Sequence, residues 1–125
     1  MSILLDVRKL TVGFKVRDSI FTAVEDASFE INKNETMALV GESGSGKSVS
    51  AMSILQLLPE GKTIFSEDSS IKFHHSEILK MSNKQLQSIR GKKISMIFQE
   101  PMTSLNPYHK VGNQITESIL SLIHI

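Results

Sequence analysis

The stretch Thr36-Met37-Ala38-Leu39-Val40-Gly41-Glu42-Ser43-Gly44-Ser45-Gly46-Lys47-Ser48 decides the fold. Its first five residues are nearly all apolar, a pattern that suits a short strand buried on both faces of a parallel sheet. The glycine-rich run that follows fits the phosphate-loop spacing Gly41-x-x-x-x-Gly46-Lys47-Ser48 in full. Glycines allow backbone conformations that a side chain forbids, so successive N–H groups can turn inward on phosphate oxygens. A helix starting near Lys47 adds its positive N-terminal end. Lys47 is expected to set an ammonium on the β- and γ-phosphates of a nucleoside triphosphate, most simply ATP, and the Ser48 hydroxyl to ligate Mg²⁺. A dinucleotide fingerprint is excluded by spacing: after Gly44-x-Gly46 it needs a third small residue where Val49 stands.

Beyond the loop, Val49, Met52, Ser53, Leu55 and Leu58 recur at helical spacing, and Pro59-Glu60-Gly61 is the expected stop. Upstream, Leu4 to Phe14 reads as a strand pair or one long strand, with Leu5, Val7, Leu10 and Val12 as the apolar positions. Ile20 to Ile31 reads as a second extended stretch, and Asn32-Lys33-Asn34-Glu35 as a polar turn. Downstream, Ile71-Lys72-Phe73 is a short strand preceded by the polar run Ser66-Glu67-Asp68-Ser69-Ser70. Lys84 to Arg90 is a helix ended by Gly91, and Ile94-Ser95-Met96-Ile97-Phe98 is a second core strand. Lys110 to Leu120 restarts a helix. The fold class expected is α/β: a partial P-loop core, its N-terminal half, with an N-terminal antiparallel β portion.

A chain of 125 residues is about one small domain. Fourteen Lys and Arg against thirteen Asp and Glu leave no clustered basic surface of the kind nucleic acid needs. The absence of cysteine excludes disulfides and thiolate metal sites. Met1 to Lys9 lacks the pattern of a signal peptide, because Asp6, Arg8 and Lys9 interrupt it. The apolar runs Met37–Val40 and Ile54–Leu58 fall far short of the ~20 residues that cross a bilayer. A cytoplasmic chain is expected, one that reaches a membrane only through a partner.

Two stretches carry a resemblance. Ala38 to Ser48 and Ile97-Phe98-Gln99-Glu100-Pro101-Met102-Thr103-Ser104-Leu105-Asn106-Pro107 look like the ATP-binding subunits of ABC transporters, in the oligopeptide, dipeptide and nickel importer branch. Within it, Met96 to Met102 with Lys93-Ile94 upstream is similar to the microcin C and peptide importer ATPases. The likeness runs from about Leu4 to Ile119. It implies that Gln99 senses Mg²⁺ and the γ-phosphate near the docking place of the membrane subunit, and that Phe14 stacks on adenine. It implies that Lys47 and Gln99 serve catalysis, and that Ser48 and Gln99 hold Mg²⁺. Nucleotide contacts fall on Phe14, Gly41, Glu42, Ser43, Gly44, Ser45, Gly46, Lys47, Ser48 and Val49. The implied partners are membrane subunits and a second ATP-binding subunit, and the implied place is the cytoplasmic face of the inner or plasma membrane.

The same resemblance implies parts that are not found in this sequence. A further apolar strand ending in an Asp for Mg²⁺ and a Glu for the attacking water is missing, as are a Leu-Ser-Gly-Gly-like signature and a late histidine. The expectation is therefore nucleotide binding without turnover. Leu120-Ser121-Leu122-Ile123-His124-Ile125 is an odd continuation for that family and reads as a translated sequencing adapter, so residues 1–119 are expected to be the native ABC part and 120–125 a non-native tail.

Other residues carry blander readings. His74, His75, His109 and His124 lack ligand spacing, and two neighbouring histidines on a strand point opposite ways. Met52, Met96 and Met102 read as core filler, and Arg90, Lys92 and Lys93 as a solvated helix end. The rival functions are a soluble ABC-type ATPase of DNA repair or translation, and a P-loop kinase.

Overall fold

The computed structural model describes residues 2–42, 44–97 and 107–123. They fall into two compact units, Met1–Leu86 and Gln87–Ile125. The first is built on a long hairpin. β1 (Ile3–Val16) turns at Arg17 and Asp18 into β2 (Ser19–Asn32), so that Val16 faces Ser19 and Phe14 faces Phe21. The other edge of β1 is shared. Its outer half, Val12 to Phe14, pairs with β3 (Thr63–Phe65), and its inner half, Leu5 to Arg8, pairs with β4 (Ser70–Phe73); both pairings are antiparallel. β5 (Ser76–Glu77) completes the order β2-β1-β4-β5.

The apolar positions of β1 are its core, but not in one unbroken alternation. Leu5 and Val7 are followed by Leu10 and Val12, a slip of one residue, and all four are buried. A β-bulge absorbs the slip at Lys9, whose φ is +48° and whose N–H donates to Ser28 Oγ at 2.8 Å. β2 slips in the same way between Val24 and Ala27. There Asp26 has φ +48° and donates its N–H to Thr11 Oγ1 at 3.0 Å. The bulges let both strands keep their apolar residues on the buried face despite the broken period.

The polar run before β4 proves to be a clasp. Ser69 is buried; its Oγ accepts the Thr11 N–H at 2.9 Å and pairs with Ser66 Oγ at 2.8 Å. The Ser66 N–H donates to Thr11 O at 3.2 Å, so the segment between β3 and β4 is stitched to β1 where neither strand covers it. The Glu77 carboxylate accepts from Ser70 Oγ at 2.6 Å and from the Ile71 N–H at 2.8 Å. His74 and His75 are not on a strand. They form the two-residue turn between β4 and β5, with φ +49° and +67°, and both are exposed.

α1 (Lys47–Ile54) follows the glycine loop as expected, and Val49, Met52, Ser53, Leu55 and Leu58 are all at least partly covered. It ends well before Pro59. The Leu57 N–H donates to Met52 O at 3.0 Å and the Gln56 N–H to Ser53 O at 3.1 Å, with Gln56 left-handed at φ +55°. These paired bonds close a helix C-terminus, here with Gln where Gly is usual. The helix expected over Lys84–Arg90 is also shorter and earlier: α2 spans Asn83–Gln87. Its start is a capping box, in which the Ser82 N–H donates to Gln85 Oε1 and the Gln85 N–H to Ser82 Oγ.

The two expected core strands are not strands here. Thr36–Val40 has no strand partner among the described residues, and Val40 is 86% exposed. In the second unit, Ile89 to Ile94 closes on itself around Gly91 (φ +78°): the Gly91 N–H donates to Ile94 O at 2.8 Å and the Lys93 N–H to Ile89 O at 2.9 Å. Ser95 to Ile97 has no strand partner among the described residues, and Phe98 lies outside them. The physical reason is common to both. A strand is stabilised by a neighbour that takes its N–H and C=O groups, and no described strand runs beside either segment. What stands is an antiparallel sheet with a P-loop helix, the partial form of the α/β class. α3 (Val111–Ile123) continues through Leu120 without a break.

Candidate phosphate-binding site

The site is assembled where the Gly41–Ser48 loop meets α1. Gly46 is the N-cap, in the left-handed region at φ +94°. Its lack of a side chain is a matter of space as well as conformation: a Cβ there would lie 2.7 Å from the Ala23 carbonyl oxygen and 3.1 Å from Val24 Cγ2. The loop thus rests directly on the backbone of β2, and only glycine fits. Gly44 has φ +83° but open space around it, so there the demand is conformational alone.

No side chain caps the first turn of α1, and no acidic residue stands in it. The leading N–H groups of a helix lack intrahelical acceptors, so this end presents donors and partial positive charge together. The Ser50 N–H is the first to be taken inside, by Gly46 O at 2.9 Å. The Ser45 N–H donates to Glu42 O at 3.1 Å and tightens the loop. Lys47 folds back over it: Nζ donates to Gly41 O and, at 3.1 Å, to Glu42 O. The ammonium therefore hangs on two main-chain carbonyls of the loop it belongs to. Ser48 is exposed, Val49 is half-buried, and Ser50 and Ser53 are buried; the Ser53 hydroxyl donates to Val49 O at 2.7 Å.

Phe14 lies on the hairpin that supports this loop. It is half-buried between Phe21 of β2 and Thr63 of β3. Val12 pairs with Val24, and Val12 and Phe14 are two residues apart in β1, so Phe14, Phe21 and Val24 share one face. Glu42, Gly44 and Ser45 are exposed along the loop. Ser43 and Gln99 lie outside the described residues, as do Glu100 to Asn106. Sequence reasoning missed the floor beneath Gly46, made by Ala23 and Val24. No local signal marks it, because the contact joins residues some twenty positions apart.

A loop with left-handed glycines, opening an uncapped helix whose first residue is lysine, has the make-up of a phosphate-binding loop. Residues 24–123 match the family model described as ABC transporter, and the chain belongs to that family. It is 50% identical over 119 residues to the uncharacterized ABC transporter ATP-binding protein YejF of Escherichia coli, covering 95% of this chain and 22% of that protein. It is 46% identical over 114 residues to the oligopeptide transport ATP-binding protein OppD of Bacillus subtilis, covering 91% and 32%. With the dipeptide transport ATP-binding protein DppD of Bacillus subtilis, identity is 44% over 120 residues, covering 96% and 36%. The chain therefore spans roughly a fifth to a third of the length of these relatives. No helix among the described residues is long and apolar enough to cross a membrane. Among the same residues, no group of three His, Asp or Glu could hold a metal ion.

Proposed function

We propose that the chain carries the nucleotide-binding part of the ATP-binding subunit of an ABC importer for peptides or similar small solutes. The observation that carries this reading is the Gly41–Ser48 loop seated on β2, with the Lys47 ammonium poised above it. A triphosphate offers that ammonium a better partner than two neutral carbonyls, since it adds the Coulomb attraction of opposite charges to the hydrogen bonds. Lys47 would move from Gly41 O and Glu42 O onto the β- and γ-phosphates, and the leading N–H groups of α1 would take further phosphate oxygens. Phe14 would stack on the adenine.

Mg²⁺ fits the donor chemistry, because the ion takes oxygen ligands and Ser48 exposes a hydroxyl on the first turn of α1. Bound beside Ser48, it would neutralise phosphate charge; Gln99 is proposed as its second protein ligand. In the whole protein, binding and hydrolysis of ATP would energise inward transport. The proposed partners are membrane subunits docked near Gln99 and a second ATP-binding subunit, at the cytoplasmic face of the membrane. The parts needed for turnover are missing from these 125 residues, so this chain alone is proposed to bind without hydrolysing. Lys47→Ala is expected to abolish binding of a fluorescent ATP analogue. Unchanged affinity in a folded variant would falsify the reading.

A further inference from the structure

We infer that Phe21 is a second aromatic wall for the base of the bound nucleotide, beside Phe14. The inference rests on the phosphate-site reading above and extends it to a residue that reading does not use. Phe21 is directly opposite Phe14 across the hairpin, and 62% of it is exposed. Directly paired residues in an antiparallel ladder have Cβ atoms roughly 5 Å apart on one face, so both side chains stand on the same face of the hairpin. The same face leads back to the loop. Val24 is paired with Val12 two residues along β1, about 7 Å at the rise of a strand, and Val24 Cγ2 lies against Gly46. A nucleotide whose phosphates occupy the loop must lay its ribose and base over some neighbouring surface. The face that continues from Gly46 ends in two phenylalanines.

The polar groups bordering the rings are already engaged. Ser19 Oγ donates to Val16 O at 3.1 Å, and Thr63 Oγ1 donates to Pro59 O at 2.7 Å. Neither hydroxyl proton is left to read a base edge, so the base is held by its flat face. Stacking of a base on an aromatic side chain depends on π-surface rather than on edge pattern.

The test uses the 125-residue chain and two probes: ATP, and inorganic tripolyphosphate, which has no base. Phe21→Ala is expected to weaken ATP binding on the order of tenfold and leave tripolyphosphate binding unchanged. Phe21→Leu, which keeps apolar bulk on the hairpin, should reproduce most of the loss, and Phe21→Trp should restore affinity. Circular dichroism matching the parent would show that the hairpin is intact in each variant. If Phe14→Ala weakens ATP but Phe21→Ala and Phe21→Leu do not, the proposal fails while the site stands. It fails likewise if Phe21→Ala spares ATP and instead disrupts an association between copies of this chain. If the parent binds neither probe, the site reading itself is overturned and the proposal falls with it.

Discussion

Leu5, Val7, Leu10 and Val12 in β1 and Met37, Ala38, Leu39 and Val40 just past β2 are comparable apolar sets with opposite fates. The first set is no more than 7% exposed, whereas Leu39 is 44% and Val40 86% exposed. Hydrophobicity does not separate them; neighbours do. β1 is paired on both edges, by β2 on one side and by β3 and β4 on the other. Thr36–Val40 has no such flank among the described residues. An apolar run becomes a strand only when its main-chain groups are taken by another strand.

That contrast can be broken at three points of decreasing size. Leu10 is fully buried at the centre of the sheet, and Leu10→Ala is expected to destabilise the first unit by about 2–5 kcal/mol. A urea midpoint followed by circular dichroism reads the change. Gly46→Ala probes the seam where the loop rests on β2. It meets the Ala23 carbonyl at 2.7 Å with φ at +94°, and the strain is expected to cost about 2 kcal/mol. ATP-analogue binding should fall with it, because the loop must lift off its floor. Val40→Ser is the smallest: at 86% exposure it should shift stability by no more than about 0.5 kcal/mol. A Val40→Ser cost as large as that of Leu10→Ala would mean that Thr36–Val40 is packed after all.

What the amino-acid order made legible was local. The phosphate loop shows as a spacing, β2 as a mostly two-residue alternation and α1 as a helical period; α1, α3 and the two long strands appear close to where they were expected. The boundaries were missed where left-handed backbone falls on residues that do not advertise it. Gln56 ends α1, Lys9 and Asp26 carry bulges, and His74-His75 makes a turn, all at positive φ without glycine. The strands expected at Thr36–Val40 and Ile94–Phe98 do not appear among the described residues, for the opposite reason. Their composition is right, but pairing is a property of two segments and cannot be read from one. Of the candidate site, the spacing of the loop was legible, while the Ala23–Val24 floor beneath Gly46 needed the packing of the loop on β2.

The irregularities of that hairpin have a bearing on how its length can change. From the tip inward, β2 carries an extra residue at two places, after which β1 carries one at two places. The offsets cancel, and Ile3 faces Asn32 across strands of fourteen residues each. Each main bulge is also pinned by a hydroxyl on the opposite strand, Ser28 for Lys9 and Thr11 for Asp26. Deletion of one residue from a regular stretch of either strand would invert the inward and outward faces from that point on. Deletion of Lys9 or of Asp26 itself would instead remove a bulge and leave the buried residues on either side in phase. The hairpin beneath the loop can therefore be shortened at its bulges, one arm at a time, without turning Val24 away from Gly46.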